Sequence, residues 1–99
     1  MSYQLLKSTN FIKSAKKFAK KDTNFLIELN DVLNKLMVDP FAQSLKTHKL
    51  KGQLKEFWAC SINYDLRLIF QFVKAFDNKT NQEVDAVLLS TIGTHDEVY

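Results

Sequence analysis

The sequence predicts a single α+β domain, a helical hairpin packed on an antiparallel sheet in the order β-α-α-β-β-β. Three observations carry this. Residues 11–37 place apolar side chains at helical spacing, and residues 57–92 switch to aromatic and branched runs broken by short polar turns. Only two Gly and one Pro interrupt the chain, too few for a loop-dominated fold or a β-sandwich. Ninety-nine residues leave no room for a second core, so residues 1–99 are expected to form one domain. Eight Phe, three Tyr and one Trp give that core enough bulk without a disulfide or metal staple.

The elements follow in order. An opening strand is placed at Tyr3–Lys7. Ser8, Thr9 or Asn10 then caps a helix that runs to about Lys21. On it, Phe11, Ile12, Ala15, Phe18 and Ala19 share one face, and Lys13, Lys16, Lys17, Lys20 and Lys21 share the other. A second helix starts near Asp22 or Thr23, with Phe25, Leu26, Leu29, Val32, Leu33, Leu36 and Met37 as its apolar stripe. Asp39-Pro40 closes it, because proline disfavours helical backbone at the residue before it. Strands follow at Phe57–Asn63 and Arg67–Val73, with Tyr64-Asp65 at the turn between them. Asp77–Asn81 reads as a hairpin loop, and Val84–Ile92, the most apolar run, as a strand inside the sheet.

Charge and cysteine content narrow the function. Fourteen Lys and Arg against eleven Asp and Glu leave a net charge of +3. Residues 7–21 hold six Lys and no acid, and residues 46–55 hold four Lys and no acid, so one side of the surface should be basic. Such a side suits nucleic acid or an acidic protein, although a lysine stripe on a helix is also what an ordinary solvated face looks like. The lone Cys60 can form no internal bridge and sits in an apolar strand, where it reads as a small buried hydrophobe. Met1-Ser2-Tyr3-Gln4-Leu5 has no basic flank followed by an apolar core and no run approaches a membrane span, so neither a signal peptide nor a span is expected, and a cytoplasmic location is.

The chemistry on offer is sparse. There is no Gly-rich phosphate loop, no paired metal-ligand spacing and no activated serine or cysteine arrangement, so neither metal nor cofactor is expected. His48 and His95 both lie in polar context at strand boundaries. Imidazole titrates near neutral pH without perturbation, so they form either an acid/base pair or two surface histidines. Arg67 is the only arginine among thirteen lysines and opens an apolar strand. A planar fork that grips phosphate at two points explains it, as does pairing with Asp65 or Glu56 at a sheet edge.

Several segments together resemble the RelE/ParE toxin superfamily, and within it the YafQ-like branch. They are Leu45–Gly52 with its His-x-Leu-x-Gly element, Trp58, Asp65, Arg67–Phe70, and Gly93-Thr94-His95 followed four residues on by Tyr99. The resemblance implies the toxin of a type II toxin–antitoxin system, a ribosome-dependent endoribonuclease that cuts mRNA. In that reaction the ribose 2′-hydroxyl attacks the adjacent phosphate without a metal. It implies His95 as general acid, Asp65 or His48 as base, Arg67 as the charge on the phosphorane, and Tyr99 stacking a base or moving a proton. Lys13, Lys16, Lys17, Lys20, Lys46, Lys49, Lys51 and Lys55 would then neutralise RNA phosphates. Implied partners are a cognate antitoxin in a hetero-oligomer, the ribosome and mRNA, with no membrane. Phe57 and Trp58 should point to opposite faces of the sheet, one into the core.

Three positions depart from the YafQ pattern. Ser61 stands where the family has a histidine, Leu66 where it has an aromatic, and Thr91 where it has an arginine. The alternatives are a ParE-like inhibitor of DNA gyrase without nuclease activity, and a toxin relative that has lost activity and survives as an antitoxin-binding or DNA-regulatory subunit.

Overall fold

A computed structural model of the chain describes residues 3–95. The expected order is present: β1 (Gln4–Lys7), α1 (Thr9–Lys21), α2 (Phe25–Val38), β2 (His48–Lys49), β3 (Trp58–Ser61), β4 (Leu66–Asp77) and β5 (Gln82–Thr94). The strands lie side by side as β1-β5-β4-β3-β2, with β5 inside the sheet as its apolar run predicts.

Two expectations need correction. The sheet is mixed, because β1 runs parallel to β5, Gln4 beside Ala86 through Lys7 beside Leu89. The β3-β4-β5 meander leaves β5 one open edge, and β1 fills it. The second correction is an added strand, since His48 and Lys49 pair antiparallel with Ala59 and Trp58. Two residues are too few to show an alternation in a sequence. The strand limits also shift: β3 stops at Ser61, where the Asn63 turn begins, and the β4–β5 hairpin runs out to Asp77 and Gln82.

Local chemistry explains the helices. The Ser8 hydroxyl accepts the Phe11 N–H at 3.1 Å, capping α1. Between the helices Asp22 accepts the Asn24 N–H at 2.9 Å in an Asx turn, which keeps the connection short. At the end of α2, Asp39 is extended ahead of Pro40 and its carboxylate accepts the Phe41 N–H at 3.0 Å. Phe11, Phe25, Leu29, Val32 and Leu36 from the helices then pack on Cys60, Leu68, Phe70, Val87, Leu89 and Ile92 from one face of the sheet.

That face is kept in register by a bulge. Ile69 pairs with Thr91 but Phe70 pairs with Leu89, so Ser90 is an extra residue in β5. Before the bulge the core takes Val87 and Leu89, and after it Ile92. Helix α1 satisfies the disturbed backbone: the Ser8 hydroxyl donates to the Ser90 carbonyl at 2.9 Å, and Ser14 Oγ accepts the Ile92 N–H at 3.1 Å. Beyond the bulge, alternation sends Gly93 and His95 to the face away from the helices.

The second face carries its own small cluster, Leu50, Ala59 and Ile69, with Phe57 packed against it. Trp58 joins the helix-side core instead, edge-on to Phe72 with ring centroids 5.5 Å apart. The two aromatics therefore face opposite ways, as the alternation predicts. No helix among the described residues is long and apolar enough to cross a membrane.

Candidate active site

Away from the helices, on the open face of the sheet, Lys46, His48, Ser61, Arg67 and His95 line a cleft of about 420 Å³. Each arrives by a separate local rule. Ser61 and Arg67 are cross-strand partners, and Gly93 faces Arg67 from the other side. His48 lies on β2 opposite Ala59, on the same face. His95 reaches the cleft through the parity change at Ser90, and its N–H donates to the Asp65 carbonyl at 2.9 Å, carrying the β4–β5 pairing one step past β5.

Lys46 adopts a left-handed backbone at φ 52°, unusual for a residue with a side chain. Its carbonyl lies 3.0 Å from His48 Nδ1. A carbonyl can only accept, so Nδ1 carries the hydrogen, and in the neutral ring the basic lone pair falls on Nε2.

Arg67 does not pair with Asp65 or Glu56. Its Nη1 donates to the carbonyls of Asn63 at 2.7 Å, Leu66 at 3.0 Å and Tyr64 at 3.2 Å. Among the described residues every side-chain hydrogen bond of Arg67 runs through Nη1, and Nη2 and Nε make none to those residues. The turn that holds it is itself tied. Asn63 Oδ1 accepts the N–H groups of Asp65 and Leu66, both at 2.9 Å, and the Ser61 hydroxyl donates to the Asn63 carbonyl at 3.0 Å.

The sequence-predicted residues are thus divided. His48, Arg67 and His95 meet in one cleft, and Lys46 joins them. Asp65 is exposed in the neighbouring turn; it meets His95 through its backbone carbonyl, and its side chain is not on the cleft lining. Tyr99 lies outside the described residues. Lys13, Lys16, Lys17 and Lys20 sit on α1, across the sheet from the cleft. Lys49 is also on the helix side, with its ammonium 6.0 Å from the Trp58 ring centre. Lys51 and Lys55 are exposed in the loop between β2 and β3. Cys60 is fully buried behind the cleft, and burial pushes its thiol up to about 12, against a smaller lowering by Arg67. That thiol is inert at neutral pH. No group of three or more His, Cys, Asp and Glu among the described residues could hold a metal ion.

Asn63 escapes a reading of the sequence alone, although an Asn two residues before an Asp at a hairpin turn is an Asx-turn signal. Tyr64, 92% exposed at the tip of the same turn, carried no pattern to mark it.

Comparison with known families decides the affiliation. The family model for the YafQ bacterial toxin of type II toxin–antitoxin systems matches residues 3–99. The chain belongs to the YafQ family. Curated proteins offer no match. Among solved structures, a copper-bound mutant toxin from Helicobacter pylori is 28% identical with TM-score 0.66, each chain covered over its whole length. YafQ in the E. coli DinJ–YafQ toxin–antitoxin complex is 20% identical with TM-score 0.65, covering 100% of this chain and 99% of that one. A YoeB/ParE toxin from Agrobacterium tumefaciens is 16% identical with TM-score 0.72, covering 93% of this chain and 98% of that one. These likenesses show that the YafQ-family chain shares its α+β fold with the YafQ and YoeB/ParE toxins.

Proposed function

We propose that this toxin is a ribosome-dependent endoribonuclease that cuts mRNA by attack of the ribose 2′-hydroxyl on the adjacent phosphate. The observation that carries the reading is the meeting of two histidines and a half-tethered arginine in one cleft, from β2, β4 and the end of β5. His48 Nε2, bearing the lone pair, takes the proton of the 2′-hydroxyl. Its location on the cleft favours it over Asp65 as the base. The 2′-oxygen bonds to phosphorus, the bond to the 5′-oxygen breaks, and His95 gives that oxygen a proton. The products are a 2′,3′-cyclic phosphate and a 5′-hydroxyl.

Arg67, through Nη2 and Nε, neutralises the phosphorane, with the Lys46 ammonium beside it. Tyr99 is assigned to stacking or proton transfer at the same site. Thr91 leaves the family's arginine position without charge, and Arg67 supplies it from the neighbouring strand. The lysines of α1, with Lys49, Lys51 and Lys55, hold ribosomal or messenger phosphates without reading sequence.

The partner is a cognate antitoxin, as DinJ is for the E. coli YafQ. An acidic or amphipathic segment laid across the basic surface would neutralise the toxin. The site of action is the cytoplasm, where ribosomes are.

The test is 5′-end mapping of cellular mRNA after brief induction, wild type beside His48→Ala and His95→Ala. Codon-phased cuts lost in both variants are expected. Growth arrest without new ends would refute catalysis and favour gyrase, which a supercoiling assay would then read. Neither arrest nor ends would identify a silent relative.

A further inference from the structure

Asn63 does more than turn the chain. Its Oδ1 fixes the N–H groups of Asp65 and Leu66, and its Nδ2 donates to Glu28 Oε1 on α2 at 3.1 Å. The amide orientation is therefore set from both ends, since an Oδ1 can only accept and a carboxylate can only accept. Its own carbonyl receives both the Ser61 hydroxyl and the shortest of the Arg67 bonds, at 2.7 Å. Two residues on, the Asp65 carbonyl receives the His95 N–H. Two of the cleft's side chains and the backbone of a third converge on this turn. Glu28 is its only side-chain anchor to the helical layer among the described residues.

A flexible arginine would fail at the task assigned to it. An unrestrained guanidinium samples many rotamers and loses that freedom on gripping a phosphate, which weakens the grip. Three carbonyls presented by a rigid turn remove the freedom beforehand and leave the fork's other edge to the ligand. The Ile62 N–H to Leu66 carbonyl bond, at 3.0 Å, closes the base of the turn, and Asn63 Oδ1 fixes its tip from inside.

We infer that Asn63, clamped by Glu28, is the positioning residue of the cleft: it holds the turn that aims Arg67 and seats the backbone of His95. This rests on the nuclease reading above for its effect on cleavage, but not for its effect on the geometry of Arg67.

The test uses the full chain and exploits Arg67 being the only arginine, so that the guanidinium nitrogen signals in a 15N spectrum belong to it alone. In the wild type the Nη1 tether should slow rotation of the guanidinium and give separate Nη1 and Nη2 signals. In Asn63→Ala, recorded well below its melting temperature, the two should merge. Glu28→Ala should bring them closer together, while Glu28→Gln, which keeps the acceptor oxygen, should restore the wild-type pattern. Cleavage by Asn63→Ala should fall in kcat on the order of tenfold to a hundredfold, the usual penalty for displacing a catalytic group by an ångström.

A role in stability alone would lower the melting temperature and leave the Arg67 signals separate. Separate signals in Asn63→Ala overturn the inference. Should that variant not fold, Glu28→Ala decides: signals drawn closer than in the wild type support the inference, and signals at the wild-type separation overturn it. If the wild type cuts no RNA yet the signals merge in the variants, the nuclease reading fails and the positioning role stands.

Discussion

Replacing Ser14 with Ala removes one oxygen from α1 and tests how β5 is held. That oxygen accepts the N–H of Ile92 at 3.1 Å and donates to the Phe11 carbonyl at 3.0 Å. The Phe11 carbonyl belongs to a helix and loses little. The Ile92 N–H sits just past the bulge, on a residue only 4% exposed, where water cannot easily replace the lost acceptor. Leaving a buried donor unpaired costs roughly 1–3 kcal/mol. Alanine recovers a few tenths of this through its better helix propensity, about 0.5 kcal/mol against serine. A net loss of roughly 1–2 kcal/mol should lower the melting temperature by about 4–16 °C in a domain of this size. The assay is thermal unfolding followed by circular dichroism, with Lys13→Ala as the exposed neighbour for comparison. Amide hydrogen exchange should show Ile92 losing protection before the rest of β5. A Ser14→Ala protein that melts with the wild type, with the Ile92 amide still protected, would refute the idea that α1 secures the bulge.

Other expectations follow from the same contacts. Phe70→Ala, at a fully buried site, should cost about 3–5 kcal/mol and leave the chain largely unfolded at 37 °C, as read by denaturant titration. Cys60 gives an alkaline signature. Its folded thiol is raised from 9.0 to about 12, so between those values the unfolded chain has lost a proton that the native chain keeps. Its contribution is complete below pH 9 and lost as pH rises toward 12, by roughly 1 kcal/mol per pH unit. Cys60→Ala should flatten that alkaline decline in melting curves, and an unchanged slope would refute the assignment. Lys46→Gly removes a side chain from a left-handed residue, so stability should hold or rise while cleavage falls; a melting temperature several degrees lower would contradict the strain. Arg67→Lys keeps the charge but loses both the carbonyl tethers and the fork, so a purified ribosome assay should show cleavage well below wild type.

Much of the fold was legible because it rests on local rules. Ser8 as a cap, Asp39-Pro40 as a stop and most of the helical stripes from Phe11 to Met37 are patterns within a few residues, and the structure follows them. The exceptions are Ile12 and Leu26, which lie exposed at the edges of their stripes, and the Asp22 Asx turn, which delays the second helix to Phe25. The parallel pairing of β1 was not legible, since it depends on which edge remains after three later strands assemble. The bulge at Ser90 was hidden for a similar reason. Leu88-Leu89-Ser90-Thr91-Ile92 offers apolar residues at both parities, and only the partner strand shows which of them face the helices. For the site, titrating residue types made His48, Arg67 and His95 visible. Asn63 was not, because a hub built from backbone carbonyls leaves almost no mark in side-chain chemistry.

The parallel pairing of β1 with β5 sets a schedule for synthesis. Gln4 is made early, yet its sheet neighbour Ala86 follows 82 positions later, and the cleft gains His95 later still. While the intervening chain emerges, β1 has no strand to join, and the helices have only part of a sheet to cover. The β2-β3-β4 meander can bring His48, Ser61 and Arg67 together by itself, but the cleft is complete only when β5 adds His95. A chain cut short before β5 would keep His48 and Arg67 but lack His95, and its cleft would stay incomplete.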